Sequence, residues 1–228
     1  MSGIDLVYAF LAGLQPSLIW LVFWTREDNH PEPRWLIFSL FLGGMASVVV
    51  AVIAENYIAG IVSDPNARYV LWAAVEEILK IAVVLIVALH TVHYDEPIDA
   101  MMYCITVALG FAALENAFFL MSPLSTGDIT RSIVTADMRF IGAVLVHVVS
   151  SAFIGFTIGY AFYRSWWVKC GALIVGILGA IAIHAAFNIS ITNGDPMDIL
   201  HVFAWIWGAV VILIVLFEEV KAVRPQLL

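Results

Sequence analysis

Charge is what this chain has least of. Only 12% of its 228 residues are Asp, Glu, Lys or Arg, about half the usual share of roughly 25% in soluble domains. No basic cluster occurs, and the net charge of -8 comes largely from carboxylates scattered through the connecting segments. That balance argues against a nucleic-acid surface and against a patch for anionic lipids. Cysteine is nearly absent as well. Cys104 and Cys170 fall in or beside apolar runs, so neither a disulfide framework nor a thiolate metal site is indicated, and both are expected to be packing residues. No Lys or Arg precedes the first apolar run and no small-residue cleavage site follows it, so a removable signal peptide is not expected. The longest polar connection, Ser122 to Arg139, is too short to hold a packed core of its own.

Apolar length is what the chain has instead. Hydrophobic residues make up 63% of it, and runs of about twenty recur, each able to cross a hydrocarbon core of roughly 30 Å as a helix. The expectation is an all-α polytopic bundle forming one integral membrane domain over residues 1–228. Seven spans fit: Leu6 to Trp24, Trp35 to Ile61, Tyr69 to Val92, Ile98 to Met121, Phe140 to Tyr163, Val168 to Ile191, and Ile199 to Phe217. Breakers mark the connections, among them Pro31-Glu32-Pro33, Asp64-Pro65-Asn66, Glu96-Pro97 and Asn193-Gly194-Asp195-Pro196. One side of the membrane receives Arg26, Arg34, Arg164, Lys169, Lys221 and Arg224, the other Arg68, Arg131 and Arg139. The first side is expected to be cytoplasmic, which puts the N-terminus outside and the C-terminus inside.

The third span breaks the apolar rule. It carries Glu76, Glu77 and Lys80, at a combined cost of about 8 to 10 kcal/mol near a helix centre, whereas its Leu, Ile and Val residues return roughly 4 to 7. Such a helix needs partners. Candidates are Glu115-Asn116 in the fourth span, His147 with Ser150 and Ser151 in the fifth, and His184 with Asn188 in the sixth. At about 1.5 Å per residue, Glu76, Glu115, His147 and His184 each lie roughly 10 to 12 Å from the same side, because successive helices alternate in direction. Acid, acid, base and base are thus predicted in one layer, with the catalytic helices expected within residues 69–191. One Glu of the pair can act as base beside the other's charge and Lys80, and two imidazoles with an Asn amide can donate to an oxyanion. Glu55-Asn56 reads as solvation of a helix end, or as lining for an incoming substrate. Ser150 and Ser151 read as packing or as bonded to their own helix, and Gly155-x-x-x-Gly159 and Gly171-x-x-x-x-Gly176 as close helix contacts.

Glu76-Glu77-x-x-Lys80, Phe111-x-x-x-Glu115-Asn116, His147 followed by Ser150-Ser151, and His184-x-x-x-Asn188 together resemble the PrsW family of intramembrane proteases. The order and helix placement match, and Asp28-x-x-Pro31-Glu32-Pro33 resembles that family's N-terminal signature, so the likeness spans roughly Gln15 to Asn188. Membership implies glutamate-dependent proteolysis of a membrane-embedded or membrane-anchored protein, within the wider superfamily of CAAX prenyl endopeptidases. It also implies a bacterial or archaeal cell membrane, and a first regulatory cut such as that of an anti-sigma factor. By resemblance, Glu76 activates water with help from Glu115, while His184 and Asn188 form the oxyanion hole. Two departures stand out. Lys80 replaces an Arg found one position later in the CAAX relatives, and Glu115 replaces their His. That leaves open whether His147 orients the water or whether a metal is held.

Two other functions fit the same residues. No cofactor is required for glutamate catalysis, but His147, His184 and Glu76 or Glu115 are ligand types for zinc, although no HExxH run supports that reading. Buried Glu, Lys and His also build the relays of proton-coupled transporters. A structural ion network alone would account for Glu76, Glu77 and Lys80, and interhelical hydrogen bonding for His184 and Asn188. It is the recurrence on four helices that points to a site.

Overall fold

The computed structural model describes residues 3–194 and 196–225 and is a bundle of seven long helices with no strand among the described residues. They are α1 (Gly3–Glu27), α2 (Arg34–Ile61), α3 (Pro65–Val87), α4 (Asp99–Ser125), α5 (Ile129–Tyr160), α6 (Trp166–Asn193) and α7 (Pro196–Lys221). Six of the seven are long and apolar enough to cross a membrane; α3, which carries Arg68, Glu76, Glu77 and Lys80, is the exception. Each of the seven expected spans coincides with one of these helices. Of the expected connections, Asp195 lies outside the described residues.

Three boundaries differ from expectation. Asp64 accepts from the Ala67 amide at 2.7 Å and Pro65 occupies the first turn, so α3 starts before Tyr69 and stops at Val87. Glu76 consequently lies midway along α3 rather than in its outer part. The connection expected from Ser122 to Arg139 shrinks to Thr126–Asp128, because α4 continues to Ser125 and Asp128 caps the next helix by accepting from the Arg131 amide at 2.9 Å. Most of that segment is the first part of α5. A π turn at Arg139–Ala143 joins this segment to the rest of α5.

α4 is the axis of the bundle. Its residues from Asp99 to Ala113 are all buried, as befits a helix that is apolar all round, and α1, α2 and α5 pack on it. Without a hydrophobic drive between helices in lipid, close approach depends on small residues. A Cβ on Gly110 would lie 2.0 Å from the Phe41 carbonyl oxygen, and one on Gly44 2.1 Å from that of Val107, so α2 and α4 meet backbone to backbone. Gly155 and Gly159 meet the start of α4 in the same way, and Gly176 meets α5. A Cβ on Gly171 would meet nothing within 4 Å, so this glycine does not mark a close helix contact. Cys104 is buried and Cys170 half-buried, both as free thiols.

Gly110→Ala is expected to push α2 from α4 and lower stability by about 1 to 3 kcal/mol, seen as a lower unfolding temperature in detergent. Gly171→Ala should unfold at the wild-type temperature or above it.

Candidate active site

Neighbouring helical residues point about 100° apart, so Glu76 and Glu77 leave α3 in different directions. Glu77 turns inward and is wholly buried. Its Oε1 receives Lys80 Nζ at 2.6 Å, Ser150 Oγ at 2.9 Å and His184 Nδ1 at 2.8 Å, and its Oε2 receives Ser151 Oγ at 2.8 Å. The two serines are therefore interhelical donors, not simply back-bonded packing residues; placed three and four residues after His147, they share its face of α5. Lys80 Nζ lies 4.8 Å from the centre of the Phe111 ring.

These bonds assign the histidine tautomers. Lys80 can only donate, so His147 Nδ1, 3.0 Å from Nζ, accepts; the proton then sits on Nε2, which donates to Glu115 Oε2 at 3.0 Å. A carboxylate can only accept, so His184 Nδ1 carries the proton toward Glu77, and its Nε2 presents a lone pair. That Nε2 is 3.8 Å from Glu76 Oε2, and His147 Nδ1 is also 3.8 Å from it. Glu76 is 4% exposed, and its Oε2 has no hydrogen-bond partner. Of the two adjacent carboxylates, one is saturated and the other keeps one oxygen free.

Glu115 is held from the far side of His147. Arg139 donates to both Glu115 and Asn116, and its guanidinium lies 3.9 Å from the centre of the Phe119 ring. This arginine sits at the π turn, a feature often found at functional sites. Sequence reasoning placed it at a loop end. Its position eight residues before His147 on what proves to be one helix was the signal available. Glu115 thus touches His147 and Arg139 rather than Glu76.

A cavity of about 570 Å³ opens beside these groups, bounded in part by Glu76, Glu115, His147, His184 and Asn188. Glu55 lines it as well: α2 continues past Glu55 to Ile61, so this residue is not a solvated helix end. Asn56 faces outward and bonds back to the Val52 carbonyl. Each candidate from the four motifs is found here, with Glu77, Lys80 and Asn116 behind the cavity wall and Phe111 on it.

One donor from each of Glu76, His147 and His184 lies within 4.8 Å of the others. Two of the three donors are free for a divalent metal, a carboxylate oxygen without a partner and the His184 Nε2 whose other ring nitrogen is held by a carboxylate; the third, His147 Nδ1, would exchange its bond to Lys80 for the ion. Glu115 stands outside this trio because its oxygen is taken by Arg139 and His147 Nε2.

Lys80→Met would leave Glu77 buried without its cation and should cost about 3 to 5 kcal/mol. Glu76→Gln removes a carboxylate that has no partner on Oε2, so its unfolding temperature should stay at or above wild type. Paired thermal melts in detergent check both.

Residues 31–217 match the model for the PrsW family intramembrane metalloprotease. Similar curated proteins, each called Protease PrsW, come from several bacteria. The chain is 32% identical over 154 residues to that of Geobacillus kaustophilus, covering 66% of this chain and 65% of that relative. It is 27% identical over 183 residues to that of Oceanobacillus iheyensis, covering 78% and 80%, and 25% identical over 190 residues to that of Bacillus subtilis, covering 79% and 81%. No solved structure matches. With the four motifs gathered around one cavity and a family match over most of its length, the chain belongs to the PrsW family of membrane proteases.

Proposed function

We propose that the chain hydrolyses a peptide bond of a membrane-tethered protein in the cavity beside Glu76. The observation that carries this is the unpartnered Oε2 of Glu76, set between His147 Nδ1 and His184 Nε2 at 3.8 Å each. A buried carboxylate is costly without a partner, and a water in the cavity is the partner that hydrolysis requires. Glu76 takes a proton from that water as its oxygen attacks the carbonyl carbon, and returns the proton to the leaving amine. Asn188, one turn after His184 and lining the same cavity, donates its amide N–H to the oxyanion. His184 presents a lone pair in its neutral tautomer, so it joins Asn188 as a donor only as imidazolium. Glu77 acts at one remove, orienting His184 through Nδ1, and Glu115 orients His147 through Nε2.

A second reading is favoured by the three-donor cluster itself. Glu76, His147 and His184 would hold a divalent ion such as zinc, which when bound supplies Lewis-acid polarisation and a more acidic water. Glu77 then serves as the carboxylate that fixes the His184 tautomer.

The substrate in either reading is a membrane-anchored regulatory protein, such as an anti-sigma factor, cut toward the extracytoplasmic side. The distribution of Lys and Arg supports this orientation, with Arg26, Arg34 and Lys221 at the opposite end of the bundle.

The test is cleavage of a single-pass candidate substrate by purified protein in liposomes, with and without chelator. Wild type should cut, and Glu76→Gln should lose roughly 10²- to 10⁴-fold in rate. Full rate in chelator selects direct activation by Glu76; loss that added zinc restores selects the metal. Normal cleavage by Glu76→Gln contradicts both readings.

A further inference from the structure

The Asp28-x-x-Pro31-Glu32-Pro33 segment takes no part in the cavity beside Glu76. It stands instead at the mouth of a second cavity, of about 580 Å³, between α1 and α2. The walls of this slot are apolar, with Leu14, Leu18 and Leu21 from α1 facing Phe38, Phe41 and Met45 from α2. From Phe10 to Thr25, the limits of its lining on α1, the helix rises about 22 Å. Half of a hydrocarbon core is about 15 Å. The slot therefore runs the depth of one leaflet and ends where α1 gives way to α2.

Its mouth is charged in an ordered way. Asp28 is only 6% exposed; one oxygen accepts the His30 amide at 2.9 Å, and the other, Oδ2, has no partner. Glu32 also lines the slot and accepts the Tyr103 hydroxyl at 2.7 Å on one oxygen. Burial raises the Glu32 carboxyl from its ordinary value, against the hydrogen bonds of Tyr103 and Asp99 and the nearby His93, and a cation at the mouth would favour its ionised form. Arg34 lines the same mouth from the first residue of α2, whose N-cap, Pro33, supplies no side-chain bond. The Leu36 and Ile37 amides donate to the Pro33 carbonyl, which leaves those of Arg34 and Trp35 at the helix start suited to an anion. Two acceptors for a cation and a site for an anion thus crown an apolar slot of leaflet depth.

We propose that this slot binds one phosphatidylethanolamine molecule of the bilayer. One of its two acyl chains lies between α1 and α2, its phosphate meets Arg34 and the start of α2, and its primary ammonium donates to Asp28 Oδ2 and Glu32. A choline head has no N–H to give to Asp28. A glycerol head brings the phosphate without a cation for the two carboxylates. A protein helix offers no adjoining phosphate and ammonium at one end of an apolar rod.

The full-length chain, exchanged into bilayer discs of equal phosphatidylethanolamine, phosphatidylcholine and phosphatidylglycerol, is released into native mass spectrometry to count retained lipid. Wild type should keep one phosphatidylethanolamine, preferred roughly tenfold or more over phosphatidylcholine. Asp28→Asn and Arg34→Ala should lose that preference, and Leu18→Trp, which fills the slot, should lose the lipid. Equal retention of the three lipids by wild type, or a co-purifying peptide in place of lipid, overturns the proposal. So does an unchanged preference in both mouth variants. The wild-type comparison stands even where a variant does not fold, and it is independent of peptidase activity.

Discussion

The Glu77 carboxylate is the interaction on which the bundle's interior depends. Four side chains from three helices donate to its two oxygens: Lys80 on α3 itself, Ser150 and Ser151 on α5, and His184 on α6. Away from water, such a carboxylate is tolerable only with its hydrogen-bonding capacity filled. Its partners share the same need. Lys80 divides its ammonium between Glu77 and His147, and His147 passes its other nitrogen to Glu115, which Arg139 holds in turn. Removing any member strands a polar group in a low-dielectric interior, so the network sets the register of α3, α4, α5 and α6 against one another.

That saturation defines the site by contrast. Glu76 is next in sequence and almost as buried, but it turns toward the cavity and keeps an oxygen free. The same network sets His184 Nε2 open beside that oxygen and brings His147 Nδ1, bonded to Lys80, to the same distance from it, each ring with its second nitrogen fixed by a carboxylate. A preorganised set of this kind does not have to reorganise as charge develops, which is what electrostatic catalysis requires. Whether the group receiving the imidazoles is water alone or a metal-held water, the chain's own contribution is the same fixed orientation.

Much of this was legible in residue order. Helix direction alternates along the chain, so depth alone placed Glu76, Glu115, His147 and His184 together, and the structure gathers them around one cavity. What depth does not carry is rotation about each helix axis. Glu76 and Glu77 sit at nearly one depth and are distinguished only by which way α3 turns them. Ser150 and Ser151 looked like packing residues because serine in a membrane helix bonds to its own backbone as readily as across an interface. Arg139 was hidden for another reason. Polar residues from Ser122 to Arg139 suggested a loop, whereas the Asp128 cap begins a helix that runs through the π turn into the span and carries Arg139 to Glu115.

We propose that two adjacent glutamates do unlike work: Glu77 builds the site and Glu76 faces the chemistry. This is tested most directly by shortening each side chain by one methylene and measuring single-turnover cleavage and unfolding temperature on the same preparations. Glu76→Asp should cut far more slowly while unfolding at the wild-type temperature, and Glu77→Asp should unfold at a clearly lower one. Near-normal cleavage by Glu76→Asp, together with a wild-type unfolding temperature for Glu77→Asp, would contradict the account.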